Sequence, residues 1–232
     1  MHWWNSLSLS HLTELEEIYG AFNSPADYFD NESLGHLTNL RVLDLKNNRL
    51  EGAFPDALWT LPKLEIVDFH FNALDGQLHE IKDNHLPVIK YMDVSQNFLG
   101  GGLPTTLNRI TELMHLDVSS NRFDKPLPDD YSGLTNLRTL LLTDNLSFGP
   151  QPIPTWLESL TELRQLSLQL TSRTGTIPDW FATSLKHLEI LDLDWNHLSG
   201  TISTQRAGTL DRLAAFAFEP QLVRRNNTFV GC

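Results

Sequence analysis

The sequence predicts an α/β solenoid, a right-handed superhelix with one parallel sheet on its concave face and short helical or 3₁₀ turns on its convex face. Three observations lead there. A frame of leucines returns every 24 to 26 residues, an asparagine closes most copies of it, and a glycine–proline pattern, strict in some copies and looser in others, follows.

The frame first reads clearly at Leu37-x-x-Leu40-x-x-Leu43-x-Leu45-x-x-Asn48-x-Leu50, and it restarts at Leu61, Leu86, Ile110, Leu134, Leu160, Leu185 and Leu210. Within each copy, x-Leu-x-Leu-x has the period of a strand, so its leucines share one face. A single such strand has nothing to bury them against. Parallel stacking of the copies, about 4.8 Å apart, merges the leucines into a continuous core. Leu43, Leu45, Val67, Phe69, Met92, Val94, Leu116, Val118, Leu140, Leu142, Leu166, Leu168, Leu191 and Leu193 are therefore expected to be buried in one sheet.

The turn after each strand carries Asn48, Asn72, Asn97, Asn121, Asn145 and Asn196, with Thr171 as the exception. An amide stacked inside the coil satisfies backbone groups that the turn leaves unpaired. The second half of the copy reads Gly52-Ala53-Phe54-Pro55, Gly101-Gly102-Leu103-Pro104 and Gly175-Thr176-Ile177-Pro178, with a proline-rich insertion at Gly149-Pro150-Gln151-Pro152. Proline ends local pairing, so a helical or 3₁₀ turn is expected after it. The whole chain reads as one domain: residues 1–36 a degenerate first repeat or cap, fitting Leu12, Leu15, Ile18 and Asn23, residues 37–209 seven regular repeats, and residues 210–232 a polar C-terminal cap.

Composition narrows the function. A net charge of −12 disfavours nucleic acid and anionic membranes, which demand lysine and arginine. No apolar run is long enough to span a bilayer. The one cysteine, Cys232, allows no internal disulfide, and Met1 to Asn5 show no signal-peptide pattern, so the chain reads as a mature or truncated segment. No P-loop, GxSxG, HExxH or paired-cysteine metal spacing occurs. An enzyme is not expected, and neither a cofactor nor a metal site is assigned.

The unit L-x-x-L-x-x-L-x-L-x-x-N-x-L-x-G-x-(I/L/F)-P, over roughly residues 12–218, resembles the plant-specific class of leucine-rich repeats. That class includes receptor-kinase ectodomains, receptor-like proteins and polygalacturonase-inhibiting proteins. The resemblance implies a non-enzymatic recognition module that binds a protein, peptide or glycan on its concave face, at the cell surface or outside the cell. The lack of paired-cysteine caps keeps open an intracellular interaction scaffold or structural protein in the cytoplasm. A third reading is an inhibitor of a secreted hydrolase.

The outward positions of the strands form four columns on the concave face. The second column contains Asp44, Asp68, Asp93 and Asp117 in succession, expected to face solvent. Their repulsion should raise the titration of one or more of them. Either Lys46, His70 and His115 offset it, or the column receives a cationic ligand such as a basic side chain or calcium. Aromatic side chains facing solvent have no core role and are enriched at binding hot spots. The candidate ligand contacts are thus Asp44, Asp68, His70, Phe71, Tyr91, Asp93, His115, Asp117, Leu170 and Trp195. Three Asn-x-Ser/Thr sequons occur. Asn31 and Asn226 are expected to be exposed and open to glycosylation, whereas Asn145 belongs to the internal asparagine ladder.

Overall fold

The computed structural model describes residues 11–22, 31–82, 87–145 and 148–200, together with the backbone of 215–217. One nine-stranded parallel sheet runs through it. Its strands, in spatial and chain order, are Glu17–Tyr19, Val42–Asp44, Ile66–Asp68, Tyr91–Asp93, His115–Asp117, Thr139–Leu141, Gln165–Ser167, Ile190–Asp192 and Ala215–Ala217. Each strand pairs only with the coil before and the coil after. The leucine frame sets the register: Ile18 lies against Leu43, Leu43 against Val67, Val67 against Met92, and so on to Leu191 against Phe216. All fourteen strand and post-strand side chains from Leu43 to Leu193 expected in the core are buried.

The asparagine ladder is built as its chemistry requires. Asn97 Nδ2 donates to the carbonyls of Val94 and Ser95 in its own turn and of Phe69 in the preceding coil, at 2.9–3.1 Å. Its Oδ1 accepts the Leu74 N–H at 2.9 Å. Asn48, Asn72, Asn121, Asn145 and Asn196 repeat the donor pattern. One side chain thus joins two coils and leaves no strand-end carbonyl stranded in the core. The Asn145 amide is held inside in this way and is 1% exposed, so that sequon offers no free nitrogen. Asn31 begins a short helix, Asn31–Gly35, but its side chain and the whole of Asn226 lie outside the described residues.

On the return path, short parallel ladders follow the asparagines, at Glu51–Ala53 with Ala73–Asp75, Gly100–Gly101 with Arg122–Phe123, and Gln151–Pro152 with Arg173–Thr176 and His197–Ser199. The proline-rich insertion therefore contributes a strand. Three of the expected convex turns are 3₁₀ and each begins just after a proline: Asp56–Thr60, Thr105–Arg109 and Thr155–Ser159. Trp180–Ser184 closes a full α-helical turn instead. Two buried polar tips on the convex side find partners, Tyr131 Oη at the Pro104 carbonyl and Trp156 Nε1 at the Pro128 carbonyl, whereas Trp59 Nε1 has none.

Among the described residues one core position breaks the pattern. Two residues after Asn48, Asn72, Asn97, Asn121 and Asn196 stand Leu50, Leu74, Leu99, Phe123 and Leu198, all buried, whereas the sequence has Ser147 after Asn145. Two residues after Thr171 stands Arg173, with no exposed surface. Its guanidinium donates to the carbonyls of Thr171 and Gly149 at 2.7–2.9 Å, and Nη1 has no hydrogen-bond partner. Burial lowers its pKa to about 10.

Candidate concave-face site

The first two outward columns lie within the strands, as expected. The third and fourth do not. Lys46 and Asn47, and their counterparts in later coils, follow the strand. The fourth column, with Asn47, Phe71, Gln96, Ser120, Asp144, Leu170 and Trp195, is left-handed throughout, with φ between 51 and 56°. These side chains leave the sheet from a turn and form a ridge along the edge of the concave face.

The aspartate column is corrected in two respects. It does not simply face solvent, because Asp68 and Asp93 are 5% and 7% exposed, covered by neighbouring long side chains, while Asp44 and Asp117 are half-buried. It also has a task in the fold. Past each strand the N–H of the residue two places on points away from the backbone ladder. The aspartate Oδ1 accepts it, from Lys46, His70, Ser95, Ser119 and, for Asp192, Asp194, at 2.8–3.4 Å. Aspartate favours such a local side-chain cap.

Most of the column's charge is answered within the sheet. Lys46 Nζ lies 2.7 Å from Asp44 and 3.4 Å from Asp68, and the Asp44 hydrogen bond, outweighing burial, raises the lysine's pKa. His70 Nδ1 lies 2.9 Å from Asp68 and 3.8 Å from Asp93, and its Nε2 is 3.2 Å from Asn47 Nδ2. Among the described residues no ion pair involves Asp117. Burial, with the charge of Asp93 adding to it, pushes its carboxyl up to about 6 despite the hydrogen bonds from Ser119. The expected upward shift is present, but desolvation leads and repulsion follows.

Tyr91 and His115 occupy adjacent strands in the first column and stack face to face, 4.2 Å between centroids and 7° between planes. Tyr91 is thus a half-buried part of the sheet surface and not a free aromatic contact. Burial raises its phenol well above the ordinary value, with Asp93 and Asp68 adding to the effect, and burial lowers the His115 imidazole. The structure brings Asp68, His70, Tyr91, Asp93, His115 and Asp117 into one cluster. Phe71, 56% exposed, borders it, whereas Trp195, 60% exposed, and Leu170 lie together several coils further on.

Two exposed aromatics in the columns of the concave face and its ridge were missed in the sequence. Tyr19, 67% exposed, extends the aspartate column by one coil, and Phe22, 79% exposed, has the left-handed φ of 58° shared by the ridge. Carrying the register of Ile18 forward by one and four residues would have found both.

The family model for leucine-rich repeats matches residues 14–74, and a second leucine-rich-repeat model matches 112–134 and 187–205. Receptor-like protein 39 of Arabidopsis thaliana is 31% identical over 89% of this chain, and Receptor-like protein 18 of the same plant is 29% identical over 70%. The chain belongs to the plant-type leucine-rich-repeat proteins. It spans only 26% and 22% of those two relatives. Among solved structures, the plant-type coil is similar to the ectodomain of the Arabidopsis receptor kinase HAESA, solved with an extended IDA peptide hormone, at TM-score 0.77 and 26% identity over 93% of this chain and 39% of that one. It is also similar to a plant ice-binding protein, at TM-score 0.65 and 26% identity over 84% and 60%. Among the described residues no helix is long and apolar enough to cross a membrane.

Proposed function

We propose that this chain is the ligand-recognition part of a cell-surface receptor-like protein, and that it binds a peptide or protein partner along the concave face and its ridge. One observation carries the reading. A left-handed backbone disfavours large side chains and is easiest for glycine, asparagine and aspartate. Phe71 and Trp195 nevertheless stand there with more than half their surface in water, where Gln96, Ser120 and Asp144 serve the same turn. The fold gains little from them, and binding hot spots are enriched in such aromatics. The peptide bound by the HAESA ectodomain and the receptor-like relatives support the same direction. Asn31 and Asn226 are proposed as glycan carriers if the chain meets the secretory pathway.

The test is capture from a pool of secreted plant peptides and proteins, glycans and hydrolases included, on the immobilised chain and on a Phe71→Ser/Trp195→Ser variant. The variant is expected to keep the wild-type Tm and to lose the captured partner. Equal capture by both would remove the ridge from the site. A captured hydrolase that loses activity would favour the inhibitor reading.

A further inference from the structure

Two triads of metal-ligating side chains share Asp93 on the concave face: Asp68, His70 and Asp93, and Asp93, His115 and Asp117. In each, the three ligand atoms lie within 4.8 Å of one another. The two differ in what already occupies those atoms. His70 uses both ring nitrogens, on Asp68 and on Asn47, and Asp68 is also paired with Lys46. That triad is satisfied by its own neighbours.

The second triad is not. His115 Nε2 is sealed from solvent and has no hydrogen-bond partner. A polar nitrogen left so is unfavourable unless something binds it. The rest of the arrangement is prepared. The Tyr91 ring lies flat on His115 and fixes its plane. Ser95 and Ser119 N–H groups hold Oδ1 of Asp93 and Asp117, so each carboxylate is oriented, and Oδ2 of Asp93 meets only the longer approaches of Tyr91 Oη at 3.5 Å and His70 Nδ1 at 3.8 Å. No described cation pairs with Asp117.

We propose that Asp93, His115 and Asp117 form a binding site for a first-row divalent metal ion of the zinc type. One imidazole nitrogen and two carboxylate oxygens are a mixed donor set that suits zinc, whereas calcium takes oxygen ligands alone. Metal binding requires the neutral imidazole, the form that burial of His115 favours. Hydrogen bonds that orient the ligands are the usual outer support of such sites. Three protein ligands leave a coordination position for water or a partner's carboxylate. The proposal stands apart from partner recognition, since the ion alone is the probe.

The experiment is calorimetric titration of the chelator-treated full chain with zinc chloride, with cobalt(II) absorption as a second readout. One saturable site is expected, giving ligand-field bands with cobalt and persisting in excess calcium. His115→Gln should weaken it by more than roughly tenfold, Asp117→Asn likewise, and His70→Gln should leave it unchanged. Should Asp117→Asn fail to fold, the two histidine variants decide. Absence of saturable binding, binding retained in His115→Gln, equal loss in His70→Gln, or displacement by calcium would each overturn the site.

Discussion

The coils up to Asn121 and the coils around Thr171 solve the same burial problem with different chemistry. In the first region, from Asn48 to Asn121, neutral amides close the turns and a leucine or phenylalanine follows two places on. In the second, the amide is a threonine and the apolar residue a buried arginine, whose guanidinium reaches the Thr171 and Gly149 carbonyls. The aspartate column changes in the same stretch, to Leu141 and Ser167. The comparison shows that the solenoid requires donors for its inward carbonyls and tolerates more than one source. Among the described residues no carboxylate pairs with the charge in that place, which makes it the costlier source.

The sharpest way to break the comparison is to exchange the core residues. Leu74→Arg puts a cation where no spare carbonyls wait, and should destabilise the chain by on the order of 5 kcal/mol or prevent folding, as urea unfolding would show. Arg173→Leu restores the regular residue and should be neutral or stabilising by about 1–4 kcal/mol. A large loss in Arg173→Leu would mean that the guanidinium organises the insertion.

The ladder gives the next effect. Asn97→Ala removes three donated bonds and leaves the Leu74 N–H without its acceptor, while the Phe69, Val94 and Ser95 carbonyls keep Asn72, Asn121 and Phe71 as donors, and it should cost roughly 1–3 kcal/mol. At the irregular turn Thr171→Asn should change stability by less than about 1 kcal/mol in either direction, because the Leu168 and Leu142 carbonyls that an amide there would reach already accept from Thr171 Oγ1 and Asn196 and from Asn145. Equal costs at both sites would erase the distinction between the regions.

The smallest effect lies in the aspartate column. A carboxyl raised on folding stabilises the fold while protonated. For Asp117 that contribution is complete below the ordinary 3.8 and is lost as pH rises through about 6. With a chelator present, Tm should therefore fall across that window, by the equivalent of roughly 1–2 kcal/mol, and Asp117→Asn should flatten the fall while keeping its Oδ1 acceptor. An unchanged profile in the variant would place the titration elsewhere.

Much of this molecule was legible from spacing alone. A period-two leucine pattern repeated at a near-constant interval admits one economical burial, so the parallel sheet, its register, the inward amides and the 3₁₀ turns after proline followed from the chain. The candidate residues were legible as columns, because register carries a position from coil to coil. Their state was not. Whether Asp68 is wet, whether Tyr91 is free or stacked on His115, and whether Phe71 leaves from a strand or a left-handed turn depend on contacts between coils, which no single copy of the repeat encodes. Arg173 is the extreme case. Its place in the frame was readable, but a cation there is tolerable only because Gly149, 24 residues earlier, turns its carbonyl inward, and that is a fact of the folded coil.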